Sequence, residues 1–482
     1  MRILIPVLTL CLVALAQEGA ERPTESLKGV VAKNLAPVST EVLRVKLPRP
    51  AERKMKNGLP VLIIENHRVP TVELTLVIPA STLSDPAGLP GVAEATANML
   101  NQGTEKRNSR QIAEELSELG ASLSVSTSYG SRTTRLAASA LVENLDSLLE
   151  LVADLLLHAS FPQDELEKWK ARKLSSLQQN RTSPPFLANE RLYEALYPGD
   201  ARALTAATPE SVQKLRRQHL LDFYKGHYRP ANSLLGVTGD VKPDVIMAKL
   251  EKTLGPWESG AATEPKLPLR EPVAEKKIYL VNRPNSVQTY LLLANRAIDR
   301  LDPDYVACMV MNRVLGAGPA GRLFRNLRED KGYTYGAGSN FAALKYLNHF
   351  TASSSVRTEV TGPAVEEFLR EFRDIRDKPV PKEELDNARR AIVAGFALSL
   401  ENQGNVLNQI LLQREYGLPS DYWDTYPEKV MAVTAADVQR VARKYVPVDN
   451  VQLVAVGDAN KIRELLQKHG PLEEYDSDGK RK

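Results

Sequence analysis

Histidine and cysteine are scarce in this chain of 482 residues, which holds six of the first and two of the second. Cys11 falls in an apolar N-terminal run, so Cys308 stands alone in the remainder. A single thiol excludes an intrachain disulfide framework, and apolar burial must then supply the stability. Within DPDYVACMVMNRVL that thiol reads as a small core hydrophobe. Charge of one sign is not in excess either: the formal net charge of +4 is spread along the chain. Nucleic acid is not expected as a partner, because its binders gather Lys and Arg into a stripe. His67, His158, His219, His227, His349 and His469 show no H-x-x-E-H, H-E-x-x-H or H-x-H spacing, so they spell no recognised metal motif. A G-x-S-x-G elbow and a P-loop are missing as well. Gly316-x-Gly318-x-x-Gly321 matches the letters of a dinucleotide fingerprint. That motif needs a strand before it, whereas YVACMVMNRVL has a helical pattern, so a glycine turn between two helices is expected.

Long apolar runs are confined to the N-terminus. Met1-Arg2 is followed by ILIPVLTLCLVALA, and Ala14-Leu15-Ala16 forms an A-x-A site. This pattern predicts a secretory signal peptide over residues 1–16, and with it export to the periplasm. The run is too short for a stable span, and no later run reaches the roughly 20 residues that crossing a bilayer requires. Anchoring through a lipid on Cys11 is disfavoured by the bulky Leu10 before it. Residues 17–40 are polar and patternless and read as a flexible leader. The stretch 469–482 reads as a disordered tail. Residues 255–277 hold Pro256, Pro265, Pro268 and Pro272 without periodicity, and so read as a linker between halves at 41–254 and 278–468.

What is present in quantity is repetition. FPQDELEKWKARKL (161–174) parallels VPKEELDNARRAIV (380–393), aligning Pro162 with Pro381. TPESVQKL parallels TAADVQRV, each opening on a Thr suited to a helix N-cap, and SLLGVTGD parallels VQLVAVGD. The order is the same in both halves, which indicates a duplication. Within the first half, NGLPVLIIENHRVPTVELTLVIPAST predicts two strands, and Asn108 opens a helix stopped at Gly120. LSVSTSY and RTTRLAASAL predict two more strands before a long amphipathic helix. The fold class expected is α+β: two homologous halves, each a layered, antiparallel-rich sheet with helices packed on one face.

The segment GVAEATANMLNQGT resembles the signature helix of the pitrilysin/insulinase metallopeptidases, the inverzincins, which read approximately G-L-A-H-F-L-E-H-M-L-F-K-G-T. Gly91, Ala93, Met99, Leu100, Gly103 and Thr104 match, and the resemblance extends over roughly residues 45–465. In H-x-x-E-H the two histidines share one helix face and bind zinc, while the glutamate polarises the attacking water. Here those positions hold Glu94, Ala97 and Asn98, and the third ligand is expected to fall at Ser175 or Ser176. No imidazole and no general base remain, so this chain is expected to bind no metal and to be inactive alone. RLFRNLREDKGYTYGAG is similar to the second-half motif of the same peptidases, approximately S-R-L-F-Q-E-L-R-E-x-x-G-L-A-Y. The resemblance implies that Arg328 and Tyr335 bind substrate at a zinc site. A guanidinium offers forked donors to a carbonyl or carboxylate, and a neutral phenol can donate to an oxyanion.

The resemblance thus implies a non-catalytic, substrate-binding subunit of a heterodimeric zinc metallopeptidase. Zinc, histidines and glutamate are expected in an H-x-x-E-H-bearing sister subunit, and peptides are the expected substrates. The alternative is a pseudopeptidase scaffold or peptide-binding protein without a role in proteolysis.

Overall fold

The structure, a computed structural model, describes residues 44–260, 265, 267–268 and 270–482. The expected signal peptide and leader lie outside the described residues, as do positions 261–264, 266 and 269 of the expected linker.

Two six-stranded mixed sheets carry the fold. The first contains β1 (Ala51–Lys54), β2 (Pro60–Glu65), β3 (Thr71–Ile78), β4 (Ser122–Thr127), β5 (Thr134–Leu141) and β6 (Leu234–Gly239). Its order is β1-β2-β6-β3-β5-β4. The second contains β7 (Lys277–Asn282), β8 (Gln288–Arg296), β9 (Thr334–Ala343), β10 (Asn348–Arg357), β11 (Gln452–Gly457) and β12 (Leu472–Tyr475), in the order β12-β7-β11-β8-β10-β9. Five strands of each sheet correspond one to one, including the parallel pairs β2–β6 and β7–β11. The sixth does not. β1 pairs antiparallel with β2 from the N-terminal side, whereas β12 reaches β7 in parallel from the far end of the chain.

The repeat extends to the helices. α1 (Val92–Met99) precedes the matched pair α2 (Gln163–Asn180) and α3 (Pro184–Leu196) of the first half. α4 (Lys382–Ser399) and α5 (Gln403–Tyr416) are their counterparts. α2 and α4 are each 18 residues long and start after Pro162 and Pro381. Thr208 and Thr434 accept the amide N–H of Ser211 and Asp437, each closing a capping box.

Each half also lends a helix to the other. Leu187, Ala188, Leu192 and Leu196 of α3 pack against Val281, Leu292 and Val454 of the second sheet. Leu407 and Leu411 of α5 join Leu62, Ile64, Val77 and Leu234 of the first sheet in one core. Both faces of the central strands are therefore covered, which is why every residue of β6 and of β11 is buried. The expectation of helices on one face describes only what each half does for itself. Tyr197, just beyond α3, seals the junction: its hydroxyl donates to Asn348 O at 3.2 Å and accepts the Asn348 N–H at 3.1 Å. Cys308 is buried in the second core.

The expectation of a disordered tail over 469–482 is corrected. Leu472–Tyr475 form β12, and Tyr475 is buried against Tyr279 and Val281. The polar, charged composition of LEEYDSDGKRK concealed a strand whose main-chain partners lie on β7. Among the described residues, no helix is long and apolar enough to cross a membrane.

Candidate functional site

α1 begins without a side chain of its own for a cap. Gly91 sits at φ 102°, and a Cβ there would meet Ala207 Cβ at 2.8 Å, so glycine is required. The cap comes from outside the helix: Asp85 accepts the N–H groups of Gly91 and Ala93 at 2.6 and 2.7 Å. Val92, Ala93, Ala95, Thr96, Ala97 and Met99 are buried, which fixes the helix as a core element.

The side chains at the expected metal positions have other partners. Lys173 Nζ lies 2.6 Å from Glu94 Oε1, and the Tyr129 hydroxyl donates to Glu94 Oε2 at 3.2 Å. The Trp169 indole N–H donates to Asn98 Oδ1 at 3.1 Å. Ala97 offers a methyl group, fully buried. Trp169, Lys173 and Leu177 share one face of α2 at helical spacing, whereas Ser175 and Ser176 are exposed. The expectation that the third ligand position falls at Ser175 or Ser176 is therefore corrected: Lys173 stands opposite α1.

This donor set does not fit zinc. One carboxylate engaged by an ammonium, one amide engaged by an indole and no imidazole cannot form the tetrahedral N/S/O shell that the ion takes. The ammonium supplies locally the positive charge that a metal would bring. Burial, then the Glu94 and Asp85 carboxylates, push the Tyr129 phenol up, so it remains a hydrogen-bond donor. Burial likewise pushes the Asp85 carboxyl up to about 7, against its two amide donors and with Glu94 reinforcing the shift. The histidines do not compensate. His219 Nδ1 accepts the Arg216 N–H, and His227 stacks on Phe223 with ring centroids 4.2 Å apart.

Arg328 and Tyr335 sit at the outer edge of the second sheet. After the short helix Arg322–Phe324 the chain widens into a π-helical turn, Arg325–Asp330, and then enters β9. The turn is held from behind: Arg322 forms a forked pair with Glu384 of α4 at 2.9 and 2.7 Å, and Asn326 donates to Glu371 at 2.7 Å. Arg328 lies on the exposed side, its guanidinium 4.7 Å from the Phe324 ring centroid. Tyr335 falls in an irregular stretch of β9, where the register with β10 shifts between Ser354 and Val356, and it is 90 % exposed. No hydrogen bond or ion pair among the described residues joins either side chain to Glu94 or Asn98.

Duplicated sheets, exchanged helices and a signature helix stripped of its ligands define a pitrilysin-like protein with a degenerate metal site. The sequence comparisons make the class specific. The profile described as Insulinase (Peptidase family M16) matches residues 60–210, and that described as Peptidase M16 inactive domain matches residues 214–392. The chain belongs to the insulinase, or M16 peptidase, family. It is 25 % identical over 410 residues to the "Non-peptidase homolog YmxG" of Helicobacter pylori, covering 84 % of this chain and 93 % of that one. It is 23 % identical over 395 residues to an "Uncharacterized zinc protease" of Rickettsia bellii, covering 81 % and 93 %. A solved structure, the peptidase M16 inactive domain from Pseudomonas fluorescens, matches with a TM-score of 0.79 at 25 % identity. That match covers 85 % of this chain and 98 % of the other. The chain is thus an M16-family protein whose second half matches the family's inactive domain.

Asp85, Tyr129, Trp169 and Lys173 escaped the sequence reading. Only the four-residue spacing of Trp169 and Lys173 was visible there, and it does not reveal which helix they face.

Proposed function

We propose that this chain is the substrate-binding, non-catalytic subunit of a heterodimeric zinc metallopeptidase. In this reading it is exported, pairs with an H-x-x-E-H-bearing sister chain that holds the metal, and offers Arg328 and Tyr335 to the peptide bound there. The observation that carries the proposal is the exposure of both side chains on an edge whose inner side is fastened to α4. A rigid turn that presents an exposed guanidinium and an exposed phenol is suited to gripping a ligand held by another molecule. The engagement of Glu94 by Lys173 supports the complementary half of the reading, since the one carboxylate at the signature positions is already paired.

The test is reconstitution with an exported H-x-x-E-H paralogue from the same cell. This chain alone should leave short fluorogenic peptides intact, and the mixture should cleave them. Arg328→Ala or Tyr335→Phe should then lower kcat/KM by about 10²-fold, the size of effect seen when one oxyanion donor is lost. Cleavage undiminished in both variants would instead favour a pseudopeptidase scaffold.

A further inference from the structure

The last eleven residues form a hairpin that binds the two halves very unequally. Toward the second half it is anchored as a strand, with Leu472 to Tyr475 in register with Ile278 to Val281. Glu473 pairs with Lys277 and Arg481, and Glu474 with Arg463 and Lys482. All four of these ion pairs stay within the second half or the hairpin itself. The return stroke is closed by Lys482 N–H donating to Glu474 O at 2.9 Å. Asp476 Oδ1 shapes the turn by accepting the N–H groups of Asp478 and Lys480, each at 2.9 Å.

Toward the first half the hold is slight. Arg181, the C-cap of α2, donates to Ser477 O at 3.2 Å, and the Arg191 guanidinium of α3 lies 4.3 Å from the Tyr475 ring centroid. A small gap lined by Glu190, Arg191, Tyr475 and Gly479 remains beneath the turn. The tip, Asp478 to Lys480, forms one wall of a cleft of about 1210 Å³. The other walls are the Asp85–Gly88 loop, Leu174 and Leu177 of α2, Glu190 and Glu194 of α3, and the loop 199–210.

We propose that residues 472–482 are a strap over this cleft. β12 is the hinge that stays in the sheet, with Tyr475 still against Arg191, and the turn 476–480 lifts off Arg181 to admit a ligand between the halves. The unequal anchoring sets the direction of opening, because the end with few contacts opens first. The strap is also an addition to the repeat. The residues leading into β7 run elsewhere, with Val273 and Asn295 exchanging two hydrogen bonds of 2.9 Å. β7 thus lacks a counterpart of β1, and the C-terminus occupies that slot.

The test places a reporter on the far wall. Thr205→Cys introduces a thiol into the cleft, while the native Cys308 is buried and unreactive. Labelling at position 205 with a bulky maleimide is followed by peptide mass spectrometry in three backgrounds. These are the full chain, a chain ending at Asp476, and the full-length variant Arg181→Gln. The truncation keeps β12, so the sheet is preserved, and Arg181→Gln removes the bond to Ser477 O together with the Arg181–Glu190 ion pair. Labelling should accelerate by about tenfold or more in both, as expected for removal of a local closing contact. Hydrogen exchange in β6 and α5 should stay unchanged. Equal labelling rates in all three backgrounds would overturn the proposal. So would acceleration accompanied by exchange in β6, which would mean general unfolding.

Discussion

Lys173 shows how one side chain can change the use of a site. A partly buried carboxylate needs a counter-charge, and removing it leaves an uncompensated ion. In this chain an ammonium on α2 meets Glu94 at 2.6 Å and restores local neutrality without a metal. Sequence revealed that the imidazoles were missing, but not what had replaced them, because Lys173 is far from Glu94 along the chain. His349 offers a measurable case at the same scale. It is buried on β10 against Tyr193 and Tyr197, with ring centroids 5.1 and 6.5 Å away, and burial lowers its pKa to about 4. The neutral ring is thus preferred in the fold, whereas the unfolded chain takes up a proton near pH 6.5. Stability from this group is complete above that pH and is lost as pH falls toward 4. The shift corresponds to about 3 kcal/mol at most. Urea unfolding at pH 7 and 4.5 should show the parent chain losing about 2 to 3 kcal/mol more than His349→Phe over this interval. Equal losses would show that His349 is not the group responsible.

At the scale of elements, the exchange of α3 and α5 explains features that look local in the sequence. Gly236 in the middle of β6 is one. A Cβ there would meet Leu407 Cδ1 at 2.7 Å and Leu411 Cδ1 at 3.1 Å, so α5 rests directly on the strand backbone. Gly236→Val should overpack this contact and cost about 1 to 3 kcal/mol, read as a lower urea midpoint. Adding Leu411→Ala should recover part of the loss, a non-additivity that a double-mutant cycle detects. Purely additive costs would mean that the two residues are not in contact. α2 and α4 showed in the sequence as a repeat, and strands β2 to β5 and the Thr caps were legible, because hydrophobic period and cap chemistry are local signals. β1 and β12 were not. Each is short, polar and placed at a sheet edge, where main-chain pairing rather than side-chain pattern defines the strand.

For the whole molecule, helix exchange makes the two halves interdependent. The Pro-rich segment between them suggested separable domains, yet contacts group the described chain as one compact unit. Unfolding should therefore be a single transition in which far-UV circular dichroism and tryptophan fluorescence coincide. The halves, expressed as residues 44–254 and 277–482, should be insoluble apart and soluble when refolded together. Two separate transitions, or soluble isolated halves, would contradict that interdependence. What the sequence by itself determined was the duplication, the α+β class, the loss of H-x-x-E-H and the survival of Arg328 and Tyr335 in their motif. Each of these is written in neighbouring residues or in a repeat along one chain. Tertiary structure alone decided that each half covers the other's sheet, that Lys173 answers Glu94, and that the C-terminal turn forms one wall of a cleft. Those outcomes depend on which apolar faces and which charges meet across long separations, and no local pattern records that meeting.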